Sequence, residues 1–206
     1  MVQRLDYHRE TASQTAGPYV HIGLAPWAAG FDIYESRLGL DIAGPDAPGE
    51  RIRVEGLVID GTGAPVKDVL IEVWQADAAG IYPHPEDPRH ADVAPGFRGW
   101  GRVITEFETG LWGFDTVKPG PVPGRNARMQ APHISFWLVA RGINIGLNTR
   151  MYFNDADNAN DPVLNLIEQE HRRVTLIAPR EMRDGTPVYR FDIRLQGEDE
   201  TVFFDV

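Results

Sequence analysis

Glycine and proline, 21 and 16 of 206 residues, fall between short apolar stretches along most of this chain, so that few segments are long enough to wind a helix. That punctuation, joined to β-branched and aromatic runs, restricts the chain to many short strands. From Arg51 on the strand signals are regular: Ile52, Val54 and Gly56 alternate with Arg51, Arg53 and Glu55, then Leu57-Val58-Ile59 runs into the turn cluster Asp60-Gly61-Thr62-Gly63. Further strands are expected at 69–74, 133–139, 149–153, 189–195 and 201–206, and a pair at 99–105 and 111–117 around Glu108-Thr109-Gly110. One helix is signalled, with Asp161 as N-cap, Pro162 at its first position, and Val163, Leu164, Leu166 and Ile167 behind them. The pattern predicts an all-β fold: one antiparallel β-sandwich domain spanning 1–206, with one short late helix.

Residues 1–50 carry breakers at Gly17-Pro18, Ala25-Pro26, Gly44-Pro45 and Pro48-Gly49 and show little periodicity. They are expected to form an extended N-terminal arm, too poor in pattern to fold alone. Tyr19, Ile22, Leu24, Trp27, Phe31 and Tyr34 make it too apolar for a free tail, so it should lie on the chain's own sandwich or on a partner subunit.

Thirty acidic against 20 basic residues give a net charge of −10, which argues against nucleic acid or an anionic membrane as partner. A small anionic ligand would need a locally placed arginine. The chain has no cysteine, which removes disulfides and thiolate metal sites and suits a reducing compartment. No window reads as a signal peptide or membrane span, so a cytoplasmic location is expected.

Side chains two apart on a strand share a face, roughly 7 Å apart along it. A His-x-His pair on the 133–139 strand would aim two imidazoles at one metal, whereas His133-x-Ser135 offers one imidazole and a hydroxyl that is a poor ligand at neutral pH. A lone histidine on such a strand is ordinarily a satisfied core residue. The other histidines, at 8, 21, 84, 90 and 171, make no i,i+2 or i,i+4 pair. His84 and His90, with Glu86, Asp87 and Asp92, could hold a metal in a loop, although acidic proline-rich loops are mostly just solvated. No nucleophile elbow, P-loop or dinucleotide glycine pattern is present.

Several motifs in order resemble the intradiol ring-cleaving dioxygenases. They are residues 55–66 (EGLVIDGTGAPV), Glu72-Val73-Trp74-Gln75-Ala76, Gly80-Ile81-Tyr82, Lys118-Pro119-Gly120-Pro121, Pro132-His133-Ile134, residues 13–19 (SQTAGPY) and Tyr189-Arg190-Phe191-Asp192-Ile193. The similarity covers nearly the whole chain. It implies a site in which two tyrosines and two histidines hold iron(III), phenolate oxygen suiting the hard ferric ion. At the four matching positions this chain has Tyr82, Val122, His133 and Ser135, so two ligands are missing and the resemblance implies that it binds no metal itself.

The resemblance implies pairing with a homologous beta subunit that carries the Fe(III), in a higher-order alpha-beta oligomer acting on protocatechuate and O2. The resemblance further implies that Thr15, Gly17, Pro18, Tyr19 and Arg141 help wall the partner's substrate pocket, Arg141 facing the substrate carboxylate. By themselves, Arg141 reads as a surface arginine before a turn glycine and Gly17-Pro18 as a plain turn. Two rivals remain: a stand-alone non-catalytic sandwich binding an aromatic acid, and a self-sufficient enzyme holding another metal through Tyr82, His133 and a loop histidine.

Overall fold

Trp112, Phe114, Tyr189 and Phe191 face Phe136 and Phe153 across the middle of the molecule, and this aromatic seam joins two sheets. The computed structural model describes residues 15–17 and 19–205. Its strands are β1 (Arg51–Ile59), β2 (Leu70–Gln75), β3 (Trp100–Ile104), β4 (Leu111–Val117), β5 (Val122–Pro123), β6 (Met129–Gln130), β7 (His133–Val139), β8 (Leu147–Phe153), β9 (Ile177–Ala178), β10 (Arg180–Arg183), β11 (Thr186–Arg190) and β12 (Ile193–Arg194). One sheet runs β10-β11-β1-β12 with β4 also on β1; the other runs β3-β2-β7-β8-β9; β5 and β6 form a separate ribbon. The expected sandwich is present. Most pairings are antiparallel, while β11 and β12 meet β1, and β9 meets β8, in parallel.

Alternation along each strand makes the seam. Ile134, Phe136 and Leu138 of β7 point inward with Ile71 and Val73 of β2 and Met151 and Phe153 of β8, and they meet Ile52, Val54 and Val58 of β1. Trp112 and Phe136 lie edge to face at 5.5 Å and Phe153 and Tyr189 at 4.8 Å, geometries that aromatic quadrupoles favour.

Four local expectations are corrected. The strands at 99–105 and 111–117 do not pair with each other: β3 joins β2 and β4 joins β1, so Val103 and Trp112 meet across the seam instead of lying in one sheet. The 189–195 run splits into β11 and β12, because Phe191 donates its N–H to the Glu55 carbonyl at 2.8 Å while the Asp192 carboxylate accepts the Leu57 N–H at 2.9 Å. Gly56 allows this, since a Cβ there would lie 1.9 Å from the Phe191 carbonyl oxygen. Residues 201–205 make only an isolated bridge, Phe204 to Asn148. The late helix is a single 3-10 turn, Leu164–Leu166, followed by α2 (Glu170–Arg173). Leu164 and Leu176 both pack with Tyr152, which one straight helix could not arrange.

The arm is not extended throughout. It contains α1 (Tyr19–Leu24) and a 3-10 turn at Pro26–Ala29 before continuing as coil. Its later part docks on the sandwich: Ile42 is fully buried against Gly101, and the Gly39 carbonyl accepts the Arg102 N–H. Earlier, Tyr19, Phe31, Ile33 and Tyr34 are half or more exposed.

Candidate functional site

The outer face of the second sheet carries the residues matched to the iron ligands, at the start of β7. His133 stands opposite Tyr152, and Ser135 lies between Trp74 and Arg150, so that all five side chains share that face. Tyr82 arrives on the loop after β2. That loop is fastened by the buried Asp77, whose carboxylate accepts the N–H groups of Ala79 and Ile81 at 2.9 Å each and of Ala94 at 3.0 Å. Gly80, at φ 76°, presses against the Pro121 carbonyl, where a Cβ would stand at 2.0 Å. The loops bearing Tyr82 and Val122 therefore meet and line one cleft of ≈ 300 Å³ with Trp74, His84 and Arg89.

Within it, Tyr82 stacks on Trp74, with ring centres 5.7 Å apart. The Tyr82 hydroxyl lies 3.3 Å from Nε2 of His133, and His133 Nδ1 lies 2.8 Å from the Ala131 carbonyl. A carbonyl only accepts, so Nδ1 carries the proton and Nε2 presents its lone pair to the phenol. Burial, reinforced by the Arg150 guanidinium, pushes the His133 pKa down to about 4, against opposing contributions from Ala131 and Asp161. Burial likewise pushes the Tyr82 phenol up, with Arg150 opposing and Asp87 adding to the rise. At neutral pH this is a neutral phenol donating to a neutral imidazole.

That arrangement does not fit a ferric ion. Val122 is buried and offers only hydrocarbon, Ser135 only a hydroxyl, and Nε2 of His133, the nitrogen facing the phenol, is already engaged. Arg150, which the sequence reading missed, puts a fixed positive charge on the same face, with Nη1 bonded to the Gln130 side chain at 2.7 Å. The buried Asp161 closes the rear, accepting from Tyr152, from the Ala131 N–H and from the N–H groups of Val163 and Leu164. The N-cap position of the following turn is Val163 and not the expected Asp161, which instead ties the start of that turn to Tyr152 and Ala131 with one carboxylate. No local pattern marks Arg150 or this role of Asp161, since both depend on pairings far apart in sequence.

His84, Asp87 and His90, expected as a possible loop metal site, are bonded to other groups. Asp87 is bound by the Arg89 guanidinium, which with backbone N–H bonds holds its carboxyl down to about 2. His90 Nδ1 lies 2.9 Å from the Asp87 carbonyl, and His84 Nδ1 accepts the Glu86 N–H at 3.2 Å. Among the described residues, no three acidic or histidine side chains converge as a metal site.

Of the residues expected to wall a partner's pocket, Thr15 and Arg141 meet at the other end of β7. Thr15 Oγ1 accepts the Gly142 N–H at 2.7 Å and lies 3.3 Å from the Ala140 carbonyl, bracketing Arg141. Arg141 pairs through Nε with Asp68, a partner the sequence reading missed, and its side chain is 63% exposed. The Gly17 carbonyl accepts the Val20 N–H at 3.1 Å; Tyr19 projects outward at 78% exposure; Pro18 lies outside the described residues. At about 3.3 Å per residue, Arg141 is roughly 25 Å along the strand from His133, so it cannot serve the cleft of its own chain.

A family profile described as "Dioxygenase" matches residues 32–197. The protocatechuate 3,4-dioxygenase alpha chain of Pseudomonas putida is 54% identical over 198 residues, 95% of this chain and 96% of that one. The protocatechuate 3,4-dioxygenase beta chain of Burkholderia cepacia is 40% identical over 74% of this chain and 67% of its own length. Among solved structures, an intradiol ring-cleavage dioxygenase from Tetranychus urticae superposes with a TM-score of 0.57 at 20% identity, over 80% of this chain and 89% of that one, a likeness of fold.

Proposed function

We propose, from the premise that this chain belongs to the intradiol dioxygenase family, that it is the alpha-type subunit of a protocatechuate 3,4-dioxygenase, paired with a homologous beta subunit. The assembled enzyme inserts both atoms of dioxygen across the bond between the two hydroxylated carbons of 3,4-dihydroxybenzoate, giving 3-carboxy-cis,cis-muconate. One observation carries the division of labour: the Tyr82 hydroxyl bonds to the nitrogen of His133 that would face a metal, while Val122 and Ser135 stand at the other two ligand positions. On this reading the Fe(III) resides on the beta subunit and supplies the oxygen chemistry there.

This chain contributes scaffold and pocket wall. Arg141, with Thr15, Gly17, Pro18 and Tyr19, faces the partner's substrate, the guanidinium meeting the substrate carboxylate. Its exposure, and its distance from the cleft of its own chain, support that assignment. The arm's uncovered Tyr19, Phe31, Ile33 and Tyr34 supply an apolar contact for the partner. A cytoplasmic setting is in keeping with a chain lacking cysteine, and among the described residues no helix is long and apolar enough to cross a membrane.

Co-expression with a beta chain bearing two tyrosines and His-x-His tests the reading. The two should co-purify in equal amounts, with iron and colour following the beta chain. Stoichiometric metal and turnover in this chain purified alone would reject it.

A further inference from the structure

The geometry points to Asp68 as the positioning residue that aims Arg141 at the substrate carboxylate; the inference rests on the functional reading above. In the β2/β7 pairing Leu70 stands opposite Val139, and continuing that antiparallel register by two residues sets Asp68 opposite Arg141. Asp68 is thus delivered by the sheet itself, just before β2 begins. Its side chain is 18% exposed against 63% for Arg141, so a largely buried anion grips the inner edge of a guanidinium whose outer part faces solvent.

The contact uses Nε. A guanidinium has five N–H donors in a fixed fork, so the four on the two Nη atoms remain for a second, bidentate carboxylate. Thr15 steadies the peptides on either side through Gly142 and Ala140. The space before the arginine is a cavity of ≈ 570 Å³ whose walls include Ile22, Pro65 and Phe107, apolar surface suited to an aromatic ring, with Lys67 as a further cation. An unanchored arginine loses rotamer freedom when it binds. Asp68 fixes the side chain before the substrate arrives.

The test uses the assembled alpha-beta enzyme, with protocatechuate and catechol, which lacks the carboxylate, as paired substrates. Asp68→Ala should raise KM for protocatechuate about tenfold, the loss expected when the arginine must be ordered on binding. kcat should move less than twofold and the catechol parameters should not move. Asp68→Asn keeps an oxygen acceptor, should recover most of the loss, and guards against misfolding of the alanine variant. Arg141→Ala should be worse than Asp68→Ala for protocatechuate, and the double variant no worse than Arg141→Ala alone, because the two residues act as a unit.

A lower KM for protocatechuate in Asp68→Ala would show that the anion competes with substrate, and would overturn the inference. So would equal effects on both substrates, or additive losses in the double variant. If Arg141→Ala shifts the protocatechuate-to-catechol ratio and neither Asp68 variant does, the positioning role alone fails. If Arg141→Ala leaves the ratio unchanged, the carboxylate contact fails and the role of Asp68 goes with it.

Discussion

Stability between pH 7 and pH 4 should be governed largely by His133, whose imidazole is 3% exposed. Its pKa is lowered from 6.5 to about 4 by burial and then by the Arg150 guanidinium. In that window the unfolded chain takes up a proton that the folded chain refuses. The stabilising contribution is therefore complete above pH 6.5, shrinks as pH falls and is gone near pH 4. At 1.36 kcal/mol per unit the interval is worth about 3 kcal/mol. His21 shifts in the same direction, burial outweighing Asp68, so the measurement must be a difference between proteins. Urea unfolding, followed by tryptophan fluorescence, would compare wild type with His133→Gln, which cannot titrate. At pH 7.5 the variant should be weaker by about 1–2 kcal/mol, the cost of disturbing the bonds to Ala131 and Tyr82. Toward pH 4.5 the gap should close and then reverse. Deuterium exchange at the imidazole C2 in the assembled oligomer gives the midpoint directly. Parallel pH profiles for the two proteins, or a His133 midpoint above 6, would refute the picture of a sealed neutral imidazole.

Gly56→Ala forces a Cβ to within 1.9 Å of the Phe191 carbonyl oxygen and 2.9 Å of the Trp112 ring, so β1 and β11 must part. Overpacking together with the loss of two hydrogen bonds should cost about 4 kcal/mol, seen as a fall in Tm of roughly 10 °C in a thermal scan. Val122→Tyr with Ser135→His completes the donor set and should permit weak ferric binding with a visible charge-transfer band. Adding Arg150→Gln should strengthen that binding on the order of 100-fold, since unit charges about 6 Å apart at an effective dielectric of 20 interact at about 3 kcal/mol. Equal affinities for the double and triple variants in an iron titration would show that Arg150 plays no part.

The sandwich was legible because its inward residues are local patterns. Ile134, Phe136 and Leu138 alternate on β7, and Ile52 and Val54 on β1, whatever their partners. Which strand meets which was not legible: Val103 and Trp112 look like neighbours in a hairpin until the seam between the sheets claims both. The short helix α1 gave no signal, with no acidic residue in its first turn and Gly23 within it. For the site, that Val122 and Ser135 carry neither phenol nor imidazole could be seen at once, because the identity of a side chain needs no geometry. What fills their place could not. Arg150 joins the face of Ser135 and His133 through a cross-strand pairing and Asp68 reaches Arg141 through another, and neither follows from spacing along the chain.

On the proposed function, β7 explains how one chain can lack a metal centre and keep a part in the reaction. Its inner residues are seam, and a change at Ile134 or Phe136 would open a core cavity costing several kcal/mol. Its outer residues are free of that constraint: Ser135 lies on the outer face between Trp74 and Arg150, and Val122 sits on a separate ribbon outside the inter-sheet cluster. Replacement of the ligands there leaves the packing between the sheets untouched. The strand therefore stays straight and in register, and the register, continued past Val139, is what places Arg141 against Asp68. On that reading, an absent ligand set at one end and a guanidinium presented at the other are independent, because the seam between them belongs to the fold and to neither site.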